Sequence, residues 1–290
     1  MTRAPLFPLA AAALAAVTIA GPTAAQAFDI VETTIAEAHD AMDDGSLTCR
    51  GLVESYLARI AAYDEAGPRL YAIQTVNPSA LELADSLDEV WMSGGPRGAL
   101  HCVPVLLKDQ VATADLPTTY GSVRFADFVS HRDATLVRRL KEAGALILAK
   151  TNMGEFASRY VGSAYGIIRN PYDPTRNPSG SSGGSSAGAA AHFGLVAIGE
   201  DTAGSIRGPA AVANLVGLRP TLELVSTHGM MPANPTHDTM GPITRTVTDA
   251  ARVLDAIAGY DAADPITARA WGRVPATYTA FLQADALAGA

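Results

Sequence analysis

"NPSGSSGGSSAGAAAHFGLVAIGEDTAGS", Asn177 to Ser205, is the stretch on which the reading of this chain turns. Its first part has the composition of a linker, since Gly/Ser tracts mostly join domains as random coil. The residues after the tract argue otherwise. The alanine-rich run reads as a helix stopped near Gly194, and "LVAIG" reads as a strand. A helix of about twelve residues after Ser181 advances ~18 Å, and a strand of about six residues returns ~20 Å. Ser181 and the "DTAGS" run that ends at Ser205 therefore fall at the same end of one helix–strand unit.

Outward from this unit, strands and helices alternate. "TIAEAHDAMDDG" and "TCRGLVESYLARIAAYDEAG" have helical apolar spacing, the second with Thr48 as N-cap. "LYAIQTV" reads as a strand, followed by a helix over 78–91. "VPVLL" (Val103 to Leu107) is a short strand, and "DATLVRRLKEAG" is a helix that ends at Gly144 and leads into the strand "ALILA". A strand around "LVGLRP" and a helix over 247–258 close the pattern. Such alternation predicts an α/β sheet covered by helices on both faces. No repeat or linker divides it, so one domain over 28–290 is the simplest account.

Residues 1–27 read as a secretory signal, with Arg3 at the start, an apolar run from Leu6 to Ile19, and "AQA" at the cleavage position. The apolar run is too short to be a stable membrane span, although an uncleaved anchor is the competing reading. The expected location is secreted or periplasmic. A net charge of −8 gives no electrostatic reason for a nucleic-acid partner. Cys49 and Cys102 would meet an oxidising compartment. A disulfide and two free, buried thiols both stand, because sequence does not supply the Cα separation. Neither cysteine has metal-ligand spacing with the histidines, so no metal and no cofactor is expected.

"GALILAKT" nearly matches a phosphate-binding loop, but it is an apolar β run without the second glycine, which places Lys150 at a strand end in a solvated or supporting role. "GSSGG" matches G-x-S-x-G around Ser182, with His192, His228 or His237 as base. The three prolines in "NPYDPTRNPS" forbid the strand such an elbow needs, so an esterase of that type is the weaker alternative. Lys108 follows the carboxyl end of "VPVLL", where open α/β sheets bind ligands. Strand alternation turns Asp109 to the other face, and burial among apolar neighbours then favours a neutral amine. A neutral lysine can activate one serine through another. Lys108, Ser181 and Ser205 are thus one candidate constellation, and ordinary turn serines with a surface lysine are the other.

The runs "VPVLLKD", "AKTNMGEFA" and "NPSGSSGGSSAG…GEDTAGSIRGPAA" together resemble the amidase signature family, from about Ile30 to the C-terminus. The resemblance implies a mixed α/β fold and a serine hydrolase that cleaves a small carboxylic amide to the acid plus ammonia or an amine. It makes Ser205 the nucleophile, Ser181 the bridging serine after a cis peptide bond from Gly180, and Lys108 the general base. The backbone amides of Thr202, Ala203, Gly204 and Ser205 form the implied oxyanion hole, and Asp201 and Arg207 brace the loop. The signal argues against an ammonia-channelling amidotransferase subunit of the same family.

The sequence departs from the family pattern at Ser179, Cys102 and Ala203, each where glycine is common. These are tolerable where the backbone avoids positive φ. Members of the family generally continue beyond the point where this chain stops at "DALAGA". The expectation is a truncated form whose sheet lacks strands, with a non-catalytic relative as the alternative. The particular amide and the oligomeric state have no signature here.

Overall fold

The computed structural model describes residues 28–94 and 98–289, so the signal segment expected over 1–27 lies outside the described residues. Threonines start the first two helices. In α1 (Ile35–Asp43), Thr34 and Glu37 form a reciprocal capping box. In α2 (Cys49–Tyr63), Thr48 Oγ1 accepts the Gly51 N–H at 3.0 Å, as its sequence position predicts. There follow β1 (Ile73–Val76), α3 (Ala80–Gly94), β2 (Pro104–Lys108), α4 (Thr135–Glu142) and β3 (Leu146–Thr151). The two-residue strands β4 (Val161–Gly162) and β5 (Gly166–Ile167) form a separate hairpin. The remainder is α5 (Gly183–Ala190), β6 (Val196–Asp201), α6 (Arg207–Val212), β7 (Val216–Gly217), β8 (Thr239–Thr244) and α7 (Val247–Ile257).

Six strands form one mixed sheet in the order β1-β3-β2-β6-β8-β7. β2 runs parallel to β3 and β6, while β1, β8 and β7 pair antiparallel with their neighbours. Every residue of β2, β3, β6 and β8 is buried. Side chains alternate between faces, so burial throughout means that both faces are covered. α5 packs against β2, β3, β6 and β8, while α3 and α4 pack on β3 and α7 on β7 and β8. One apolar core joins Ile30 near the start to Ile257 in α7. Among the described residues no helix is long and apolar enough to cross a membrane.

Three elements differ from the sequence reading. α5 stops before Gly194 because His192 takes a left-handed φ of 58°. Phe193 N–H then donates back to Gly188 O (2.8 Å) and His192 N–H to Ala189 O (3.2 Å), the bonding of a Schellman cap. β8 was unforeseen because "TMGPIT" carries Gly241 and Pro242, residues that usually argue against a central strand. Here Pro242 O accepts from Leu218 N–H (3.0 Å), and a Cβ on Gly241 would strike Leu218 O. "LVGLRP" keeps only Val216 and Gly217 as strand.

Cys49 and Cys102 are joined, with Cα atoms 5.6 Å apart and both residues buried. The alternative of two free thiols is thereby set aside. Of the three departures from glycine, Ser179 and Cys102 do adopt left-handed φ (61° and 54°), while Ala203 stays out of that region. A left-handed non-glycine residue costs about 1–2 kcal/mol. At Cys102 the covalent tie and a Cys102 N–H to Gly144 O bond (2.9 Å) oppose that cost.

Candidate active site

β2 ends in Lys108, whose side chain is wholly inaccessible because β3 and β6 flank the strand and α5 lies across it. Lys108 Nζ has three polar neighbours: Ser181 Oγ at 2.8 Å, Glu200 Oε2 at 2.9 Å and Glu200 O at 3.1 Å. Burial lowers the lysine pKa, and the Glu200 carboxyl works in the opposite direction.

Ser181 sits just before α5, and the bond joining it to Gly180 is cis, as the family resemblance implies. A Cβ on Gly180 would overlap the Arg159 carbonyl, which explains the glycine. Two backbone bonds seat the turn on the end of β3: Gly154 N–H to Ser181 O (3.2 Å) and Gly184 N–H to Asn152 O (3.1 Å).

Ser205 lies in the turn after β6, half-buried, beside Gly204 at φ 123°. Ser182 N–H donates to Ser205 O (3.3 Å), tying the two serine turns through backbone. The structure therefore brings Lys108 and Ser181 into direct contact and ties the Ser205 backbone to Ser182, the residue after Ser181. Among the described residues the Ser205 hydroxyl makes no hydrogen bond to Ser181.

Asp201 organises the turn. Its buried carboxylate accepts N–H groups from Gly204 (2.6 Å) and Ile206 (3.1 Å), pairs with Arg207 Nε (3.1 Å), and lies 3.3 Å from Arg219 Nε. Burial alone would raise its pKa, but Arg207 and these amides outweigh burial and hold it at about 2. The Asp201–Arg207 brace is thus present, and it already engages the Gly204 N–H. The backbone of Thr202, Ala203 and Ser205 completes the same turn.

Asp109 does turn away from Lys108. It accepts the N–H groups of Thr119 (3.0 Å) and Gly121 (3.0 Å) and fixes the loop after β2. Of the two roles expected for Lys150, solvated or supporting, the structure leaves the supporting one. The side chain is fully buried in β3, donates to Pro117 O (3.1 Å) and Thr118 Oγ1 (3.0 Å), and lies 3.7 Å from Asp109. Burial pulls its pKa down to about 8 against the pull of Asp109. Its part is to support the loop.

Ser182 has none of the features of an elbow nucleophile. It is buried, preceded by irregular backbone, and its hydroxyl is taken up with Glu200 O (3.1 Å) and Glu200 N–H (3.2 Å). His192 contacts Glu32 (3.1 Å), His228 contacts Thr135 (3.5 Å) and His237 contacts Thr236 (2.8 Å).

Sequence reasoning missed Glu200, Thr202 as a side chain, and Asp238. Thr202 Oγ1 lies 2.8 Å from Glu200 Oε1 and 2.6 Å from Asp238 Oδ1. The available signal was a glutamate directly after the apolar run "LVAIG", at a position where a buried ionisable side chain needs a partner.

The amidase family profile matches residues 51–285. The chain is 42% identical over 254 residues to a glutamyl-tRNA(Gln) amidotransferase subunit of Exiguobacterium sp., covering 87% of this chain and 51% of that protein. It is 41% identical to a probable amidase of Arabidopsis thaliana, covering 90% of this chain and 53% of that protein. The native peptide amidase from Stenotrophomonas maltophilia superposes with a TM-score of 0.84 at 46% identity, over 86% of this chain and 52% of that one. The chain spans about half the length of the curated relatives it matches. A profile match over most of the described residues, joined to this superposition, means that the chain belongs to the amidase family.

Proposed function

We propose that the protein hydrolyses a small carboxylic amide, with Ser205 as nucleophile, Ser181 as proton bridge and Lys108 as general base. The observation that carries this reading is a buried lysine 2.8 Å from the hydroxyl of Ser181, with the Ser205 turn tied alongside. The depressed basicity of Lys108 supports a neutral amine able to accept a proton.

In the proposed reaction Lys108 takes the Ser181 proton as Ser181 takes that of Ser205. The Ser205 oxygen bonds to the carbonyl carbon, and the carbonyl electron pair moves onto oxygen. The amides of Thr202, Ala203, Gly204 and Ser205 receive that charge, the Gly204 N–H being shared with Asp201. Collapse breaks the C–N bond, and Ser181 passes a proton to the departing nitrogen as Lys108 returns one to Ser181. Water repeats the relay on the acyl-enzyme.

The S. maltophilia relative is a peptide amidase by name, which supports an amide substrate. The Exiguobacterium relative is an amidotransferase subunit by name, which would imply a partner. The Cys49–Cys102 bond favours the free-standing hydrolase, in a secreted or periplasmic setting, because disulfides persist in oxidising compartments.

The test is ammonia or amine release by the purified chain. Ser205→Ala is expected to lose on the order of 10³-fold or more in kcat with unchanged folding. Turnover retained by Ser205→Ala refutes the assignment. A wild-type chain that neither turns over nor is acylated at Ser205 by a serine-directed probe is the non-catalytic relative instead.

A further inference from the structure

A carboxylate beside Lys108 conflicts with the role proposed for that lysine, the role on which the inference rests. An ionised Glu200 2.9 Å from Nζ would favour the ammonium form. Its three N–H groups would point at Ser181 Oγ, Glu200 Oε2 and Glu200 O, leaving no lone pair for the Ser181 proton.

The hydrogen bonds on the far side of Glu200 argue against that state. Thr202 Oγ1 is close to two carboxyl oxygens, Glu200 Oε1 (2.8 Å) and Asp238 Oδ1 (2.6 Å). A hydroxyl carries one proton and can donate to only one of them. The other contact needs a proton on a carboxyl. Asp238 is the poorer holder, since its Oδ2 accepts the N–H groups of Ala233 and Asn234, both at 2.8 Å, and such donors favour the ionised form. The extra proton then falls to Glu200.

We propose that Glu200 is a positioning residue that carries one proton in the resting site and so keeps Lys108 a free amine. Every hydrogen then has one direction. The Asp238 carboxylate accepts the Thr202 O–H, and Thr202 accepts the proton on Glu200 Oε1. Glu200 Oε2 and Glu200 O accept the two N–H groups of Lys108, whose lone pair faces the Ser181 hydroxyl.

Burial favours the same assignment. Both side chains are wholly inaccessible, and two ions in that space would each lose their hydration. The other ionisable groups around the pair are accounted for. Asp201 is matched by Arg207 and Arg219, and Asp238 by the two amides. The buried Tyr120 hydroxyl is pushed up to about 12, by burial first, and so stays neutral beside the pair. During acylation Lys108 gains and returns the Ser181 proton while Glu200 keeps its own, so the transient ammonium faces a neutral carboxyl and not a carboxylate.

The experiment uses the full chain with glutamate labelled with ¹³C at the side-chain carboxyl. At neutral pH one carboxyl resonance should sit at the protonated position and be missing from Glu200→Gln. Absence of that resonance overturns the proposal whether or not the chain hydrolyses amides. The second readout is the pH profile of kcat/KM. Glu200→Ala, which removes the acceptor for Lys108 and the donor to Thr202, should lose about tenfold or more. Glu200→Gln, which keeps both, should restore the rate with its acid limb within about half a pH unit of wild type. An acid limb displaced downward by more than about one pH unit in the Gln variant would mean that an ionised Glu200 had held Lys108 charged, and the proposal fails. If wild type is inactive the catalytic reading has failed, and the resonance still decides the state of Glu200.

Discussion

Reduction of the Cys49–Cys102 bond is expected to remove a large share of the stability of this chain. The bond spans a sequence separation of 53 residues, from the first turn of α2 to the residue pair before β2. Freeing a loop of that length in the unfolded chain corresponds to about 4 kcal/mol at 25 °C on the loop-entropy relation. Domains are stable by only about 5–15 kcal/mol, so the loss is a substantial fraction. For a chain of this size it amounts to a fall in Tm of about 8–16 °C. The assay is calorimetry and urea unfolding of the oxidised chain and of the same chain under reductant. Two variants separate the covalent tie from the backbone beneath it. Cys49→Ala/Cys102→Ala leaves a Cβ at a left-handed φ of 54°, and Cys49→Ala/Cys102→Gly removes it. The glycine version should be the more stable by about 1 kcal/mol. A reduced chain within about 1 kcal/mol of the oxidised one would refute the entropic reasoning.

Two further outcomes are expected from the geometry. Asp201, held at about 2 against an ordinary 3.8, contributes about 2 kcal/mol that is fully present above pH 4 and is lost as pH falls through about 2; in urea titrations across that range Asp201→Asn should lack this acid sensitivity and should be destabilised at neutral pH, and an unaltered acid limb would count against the brace. Gly184→Ala would drive a Cβ into the carbonyls of Asn152 and Ala72, which are backbone and cannot rotate aside; a loss of about 1–3 kcal/mol is expected in thermal unfolding, and wild-type stability would show that α5 can lift away from β3.

The sheet was legible where strands were continuous apolar runs. "VPVLL", "ALILA" and "LVAIG" each lie within or beside an observed strand, because a strand covered on both faces has no polar position to interrupt the run. β8 was hidden for the opposite reason. Its glycine and proline answer to Leu218 across the sheet, a contact invisible in the local pattern. Matching helix and strand lengths put Ser181 at the end where the Ser205 turn begins, although the helix is shorter than supposed. Lys108 came to the same edge from its place at the carboxyl end of its strand. What sequence spacing did not yield was the side of Lys108 facing Glu200. Alternation cleared Asp109 away, but the carboxyl that matters comes from the neighbouring strand, and its link to Asp238 spans loops distant in sequence.

α5 carries one more consequence. From Gly183 to Ala190 it is built of glycine, serine and alanine, and all but its last residue are buried. Glycine and alanine have no rotamers to surrender on folding, and Ser185 is already committed to Ile198 O (2.9 Å) and Thr151 (2.8 Å). The helix behind Ser181 is therefore set in place with almost no side-chain entropy to lose. Nor has it long side chains that could re-rotate to absorb a displacement. Backbone rests on backbone at Asn152, so the position of Ser181 inherits the stiffness of the sheet itself.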